Sequence, residues 1–397
     1  MTQSQTTLLR IREGHAKVGY AELFFDLVFV FAVTQFSHTL LEHLTLAGAL
    51  RTGLLFLAVW WLWIFTCWVT NWLDPEKVPV RLMIFGLMLG GLVLSSSLPD
   101  AFAERGLVFA VMFASMQIGR TLFMVWALRG GRSPSNFRNF IRVSLWMSAS
   151  GVLWICGGLA EPEPRVLWWL GAVAIEYLGP MAYFRVPGLG RSSLSDWDIE
   201  GGHLSERCGL FIIIALGESI LITGATFAKL DWNPTNVAAF AIAFLGSVAM
   251  WWIYFDSGAA RGEHRLVHGQ DTASQARLAY TYLHLLIVGG VIVCAVADEL
   301  VLMHPDHADA AGVAAIVGGP ALYLLGCALF KWVTNSRRLP PISHCFGLLL
   351  LAALWAASGP MHLSALVLGA GTTLVLMIVA GWETFALRHP ELDIPKH

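Results

Sequence analysis

Residues 48–98 read GALRTGLLFLAVWWLWIFTCWVTNWLDPEKVPVRLMIFGLMLGGLVLSSSL. Two apolar runs, 48–73 and 79–98, are parted only by a turn carrying Asp74, Glu76 and Lys77. A helix needs about 20 mostly apolar residues to cross a bilayer, and both runs have that size. Neither alternates apolar with polar residues as the strands of an outer-membrane barrel do, so the reading is helical.

The pattern repeats along the chain. Apolar runs predict spans at 20–43, 48–73, 79–98, 105–128, 138–160, 165–185, 203–228, 234–258, 275–299, 311–333, 340–357 and 362–388. The expected fold class is all-α, a polytopic transmembrane helical bundle of about 12 helices with no sizeable soluble domain. Composition agrees: of 397 residues, 56% are hydrophobic and 13% charged, against about 25% charged in soluble domains. Mean hydropathy is +0.65. Residues 1–19 are polar and lack the apolar core and cleavage site of a signal peptide, so the first run is expected to stay as a span.

Short loops rich in Lys and Arg stay in the cytoplasm. On the expected spans, twenty of these residues fall on the side of both termini, and only Arg51, Arg105, Arg165 and Lys229 on the other. Arg120 lies within a span. This places the protein in the cytoplasmic (inner) membrane with both termini inside.

The chain also resembles itself. Trp60-Trp61-Leu62-Trp63 is echoed by Trp251-Trp252-Ile253-Tyr254, Arg81-Leu82 by Arg277-Leu278, and Gly119 with Leu122-Phe123 by Gly326 with Leu329-Phe330. These offsets imply parallel six-helix repeats at 20–185 and 203–389, a linker at 186–202, and cytoplasmic tails at 1–19 and 390–397. Gly86 and Gly90, spaced as GxxxG, are expected to let helix backbones approach closely.

Ionisable side chains inside a span cost about 2.5–3.5 kcal/mol on insertion scales and so face a bundle interior or a wet cavity. Glu22 and Asp26, four residues apart, share one helix face. They are read either as a proton-linked pair or as carboxylates held by Arg and by backbone N–H groups at the helix start. The seventh span opens with His203, Glu206 and Arg207 and carries Glu218 nearer mid-membrane, the leading single candidate for function. Glu206 and Arg207 are expected to pair with Asp26 or a neighbour. Arg120, a lone intramembrane cation, is expected to bridge to Glu22, Asp26 or Glu218. Gln117, Glu176, Asp256 and His284 are further interior polar groups, and the Trp-rich stretch of span 2 is read as interface belt and helix packing.

Several classes are excluded. The net charge of −2 offers no basic patch for nucleic acid. No Walker A, GxGxxG or GxSxG motif is present, and no nucleophile, base and oxyanion set, so neither enzyme activity nor a cofactor is expected. All five lysines lie at or beyond span ends, which disfavours a retinal Schiff base. The six cysteines show no CxxC spacing, and the pairs His264 with His268 and His304 with His307 lack further ligands, so no metal site is expected. Expected partners are membrane lipid and an unknown small solute or ion; homo-oligomer formation is left open.

The string Glu22-Leu-Phe-Phe-Asp26-Leu-Val-Phe-Val-Phe-Ala resembles the opening signature of the bacterial low temperature requirement A family. Matching strings continue through Thr70-Asn71-Trp72-Leu73-Asp74-Pro75-Glu76 with Arg81, His203 with Glu206-Arg207, Ile214-Ala215-Leu216-Gly217-Glu218-Ser219, and Tyr254-Phe255-Asp256. The resemblance covers nearly the full length. It implies an integral membrane protein tied to growth in the cold and marks Glu22, Asp26, Asn71, Asp74, Arg81, His203, Glu206, Arg207, Glu218 and Asp256 without giving them roles. A fainter similarity reaches the lysosomal potassium-channel family, although Phe24-Phe25-Asp26 lacks that family's serine. The expected function is a proton- or cation-linked secondary transporter. The rivals are an ion channel, or a non-transporting component acting on lipids or a partner.

Overall fold

A computed structural model describes residues 8–10, 18–129, 134–193, 197, 200–256, 277–334 and 339–388. The described residues form twelve α-helices: α1 (Tyr20–Glu42), α2 (Leu46–Trp72), α3 (Val78–Ser97), α4 (Gly106–Ala127), α5 (Pro134–Leu159), α6 (Pro162–Met181), α7 (Gly201–Phe227), α8 (Pro234–Tyr254), α9 (His284–Met303), α10 (Ala310–Thr334), α11 (Ile342–Ser358) and α12 (Ala365–Arg388). A π-helical turn, Arg277–Leu283, leads into α9. Among the described residues the only β pairings are the isolated bridges Leu9↔Leu73 and Val186↔Gly190. The chain is an all-α polytopic bundle.

The helices begin where the sequence tells them to. Pro79, Pro162 and Pro234 stand in the first turns of α3, α6 and α8, where a missing N–H costs nothing. The Asn233 side chain accepts the Asn236 N–H at 2.8 Å and caps α8. Among the described residues ten helices, α9 counted with its π turn, are long and apolar enough to cross a membrane. The other two fall short for visible reasons: α11 has 17 residues, and α6 carries Glu163, Arg165 and Glu176.

The described residues of Met1–Thr39 and Leu46–Arg207 form one compact unit, and those of Leu40–Thr45 and Cys208–His397 a second. In the first unit α2 is the central helix: every residue from Ala58 to Trp72 is buried. Trp60, Trp61, Trp63, Trp68 and Trp72 are all inside, so packing accounts for the tryptophan stretch and an interface belt does not.

In the second unit α9 and α10 touch backbone to backbone. A Cβ on Gly290 would stand 2.6 Å from the Tyr323 nitrogen, one on Gly319 2.9 Å from the Cys294 nitrogen, and one on Gly326 2.8 Å from the Ile287 nitrogen. The expected close approach at Gly86 and Gly90 does not occur. Nothing lies within 4 Å of a Cβ at Gly86, and Gly90 meets only the Met116 side chain. The spacing identifies a smooth helix face but not whether a neighbour's backbone is laid against it.

A charge-balanced cluster as the candidate functional site

The first unit gathers its buried charge at the start of α1. Glu22, in the first turn, accepts the Gly19 N–H on Oε2 at 2.9 Å, where the positive end of the helix dipole favours a carboxylate. One turn on, Asp26 faces the same way. Arg207, on α7, forks onto Asp26: Nη2 donates to Oδ1 at 2.6 Å and Nε to Oδ2 at 3.1 Å. Its Nη1 donates to Glu22 Oε1 at 3.1 Å. The Trp63 indole N–H donates to Asp26 Oδ1 at 2.7 Å. Glu22, Asp26, His203 and Arg207 are all 0% exposed.

A fifth group comes from the N-terminal segment. Residues 8–10 pair with the end of α2 through Arg10 N–H to Trp72 C=O (2.8 Å) and Asp74 N–H to Leu8 C=O (2.9 Å). That pairing delivers Arg10 Nη2 to Glu22 Oε2 at 2.8 Å, while its Nε donates to the Thr70 and Leu73 carbonyls. Two carboxylates thus meet two guanidiniums, and the cluster is charge-balanced if His203 is neutral.

Both ring nitrogens of the imidazole meet polar neighbours. Asn71 brackets the backbone of Glu200, its Nδ2 donating to the carbonyl at 2.8 Å and its Oδ1 accepting the N–H at 2.9 Å. With the amide so fixed, its Nδ2 also faces His203 Nδ1 at 3.3 Å. Nδ1 faces that donor, while Nε2 lies 3.0 Å from Glu22 Oε1 and 3.2 Å from Arg10 Nη2, itself a donor. Glu200 caps α7 in turn, its carboxylate accepting the His203 N–H at 2.6 Å and the Gly202 N–H at 3.1 Å.

Of the residues singled out in the sequence, Glu22, Asp26, His203, Arg207 and Asn71 meet here. Glu206 reaches the rim, where its Oε2 accepts the Val18 N–H at 3.3 Å. Glu218 belongs to the second unit and is half-buried. Asp256, expected inside, is exposed at the end of α8 and accepts the Thr384 hydroxyl at 2.8 Å. Asp74 and Arg81 stand at the α2–α3 turn, where Arg81 pairs with Glu76 at 3.0 Å. The His264 and His268 pair lies outside the described residues.

Arg120 corrects a second expectation. Among the described residues no carboxylate bridges it. Its Nη1 donates to the Leu62 carbonyl at 3.0 Å and to Thr66 Oγ1 at 2.7 Å, its Nη2 to Gln117 Oε1, and its guanidinium lies 4.9 Å from the Phe65 ring centre. A backbone carbonyl, a hydroxyl and an amide oxygen together can satisfy a guanidinium in place of a carboxylate. Arg142, Arg165, Arg207 and Lys331 are buried as well. Arg165 rests on four backbone carbonyls, and Lys331 pairs with Glu383 at 2.5 Å.

Three participants escaped the sequence reading. Trp63 stood among packing tryptophans, Arg10 in a polar tail, and Glu200 in a linker. A carboxylate directly before a helix was the one available signal, for Glu200 as a cap.

The model of the bacterial low temperature requirement A protein (LtrA) family matches residues 17–381. The chain belongs to this family. It is also 41% identical over 392 residues, 98% of this chain and 94% of the relative, to an uncharacterized protein of Rhizobium meliloti (strain 1021). No solved structure matches it. The LtrA match takes in Glu22, Asp26, Asn71, His203 and Arg207, whereas Arg10 lies before its first residue.

Proposed function

We propose that this LtrA chain is a multi-pass protein of the cytoplasmic membrane that works as a proton- or cation-linked secondary transporter, not an enzyme. The observation that carries the reading is the fully buried Glu22–Asp26–His203–Arg207 cluster with Arg10 on its edge. A buried ion network stabilises a bundle no better than well-packed apolar side chains of similar volume, and intramembrane ionisable groups line ion pathways and proton relays. The Asn71 lock gives the cluster a two-state element. Protonation of both ring nitrogens of His203 would set an N–H at Nδ1 against the Asn71 amide N–H, so it requires the amide to turn away from Glu200 and loosens the cap of α7.

The twelve-helix plan supports a transporter built from parallel repeats. In the first unit α3 packs on α4, α4 on α5, α5 on α6, and α2 on both α4 and α6; in the second, α9, α10, α11, α12 and α8 pack in the corresponding pairs.

Proteoliposomes loaded with a pH-sensitive dye at acidic pH test the proposal. Sodium or potassium added outside is expected to alkalinise the lumen at a rate that saturates with cation concentration. His203→Gln should slow this at least tenfold in protein that still elutes as a single species. A current that grows without saturation assigns the chain to channels instead, and no flux with either cation or with small-solute mixtures overturns the reading. Topology is tested separately: reporter fusions at the two termini are expected to report cytoplasm, and one in the 98–105 loop the opposite side.

A further inference from the structure

The second unit contains an acid that its own structure leaves unanswered. Asp298 lies on α9, five residues before its last, about 8 Å from the helix end at 1.5 Å per residue. Among the described residues no cation pairs with its half-buried carboxyl, and the side-chain donor beside it is the Ser219 hydroxyl. Ser219 lies on α7 and is 1% exposed, and its hydroxyl has no other partner among the described residues. Asp298 lines a cavity of ≈ 20 Å³ between α8, α9, α10 and α12, enough for one water-sized occupant, which needs about 10–15 Å³.

The wall of this cavity offers oxygen acceptors. Pro320, inside α10, has no N–H to give the Ile316 carbonyl one turn earlier, and both residues line the cavity. Thr372 and Thr373 also line it, and their hydroxyl protons are committed to the Gly369 carbonyl (3.0 Å) and the Ile242 carbonyl (3.3 Å), which leaves their lone pairs free. No Lys, Arg or His lines it, and the other titratable lining residue is Cys294.

We propose that this cavity is a binding site for one monovalent alkali cation of about sodium's size, held by the Asp298 carboxylate, the Ile316 carbonyl and the hydroxyls of Thr372 and Thr373. A set of oxygens whose own protons point elsewhere suits a hard cation better than a water, which would find few donors. One carboxylate balances one positive charge. A divalent ion would leave an uncompensated charge in the core and takes six to eight oxygens in its usual geometry. A proline-broken helix that turns a carbonyl toward an ion uses the means by which transporters build ion sites in the membrane. The site stands apart from the transport reading, because a cation can bind here whether or not anything is carried.

The test is equilibrium binding to the purified full chain in detergent, not flux. Radioactive sodium is expected to bind saturably at one ion per chain, and sodium chloride replacing choline chloride at constant ionic strength should raise the unfolding temperature. Asp298→Asn should cut sodium affinity at least tenfold and unfold, in choline, no earlier than the parent chain. Pro320→Ala, which keeps the carboxylate but returns an N–H to Ile316, should weaken binding several-fold and serves as the readout if the first variant fails to fold. Absence of saturable sodium binding, stabilisation that follows pH but not sodium, or full binding by both variants overturns the proposal.

Discussion

Replacing Arg207 with methionine should cost about 3–5 kcal/mol, the typical penalty for leaving a buried charge without its partner. A typical folded domain is held together by only about 5–15 kcal/mol, so little folded protein should be recovered. The same substitution combined with Asp26→Asn should recover most of the loss. The pair removes one positive and one negative charge, and the Glu22–Arg10 ion pair and the His203–Glu22 hydrogen bond remain. The amide oxygen introduced at position 26 can still accept from Trp63. Asp26→Asn alone leaves an excess positive charge and should fall between the two. Thermal unfolding of detergent-purified single and double variants measures the coupling, which is expected to exceed about 2 kcal/mol for groups in direct contact. Additive effects would show that the cluster is a coincidence of neighbours rather than one electrostatic unit.

The second large effect is steric. Gly290→Val places a branched side chain where a bare Cβ would already meet the Tyr323 backbone nitrogen at 2.6 Å. Backbone cannot swing aside as a side chain does, so α9 and α10 must separate along the contact that Gly319 and Gly326 continue. Ordinary overpacking costs about 1–3 kcal/mol, and this substitution should cost more. Gly86→Val, where nothing lies within 4 Å, should be tolerated. Comparing the monodisperse yield of the two variants checks the contrast, and equal yields would remove the argument for a backbone-to-backbone seam.

Glu22, Asp26, His203 and Arg207 were visible in the sequence because charge within an apolar run stands out against its surroundings. Asp298 shows the limit of that signal. It lies next to Glu299 near the end of a run whose expected limit is 299, whereas α9 continues to Met303 and carries Asp298 within the helix. An acid near the end of an apolar run looks like an interface residue until the helices around it are known. Arg120 failed differently: the residue was found, but its answering groups are a carbonyl and a hydroxyl on α2, and backbone atoms leave no mark on a sequence.

The sequence by itself determined the all-α membrane class, the number and approximate limits of the helices, and most of the side chains in the buried cluster. Each of these follows from local partition between water and hydrocarbon, a property of about 20 consecutive residues. The tertiary structure alone decided that Arg207 forks onto Asp26, that the N-terminal segment brings Arg10 to Glu22, and that Asn71 faces His203. It also decided which glycines carry a seam. These are matters of how far one helix is turned and slid against another, and hydropathy is nearly blind to both, because a rotated or shifted helix keeps the same residues in the membrane.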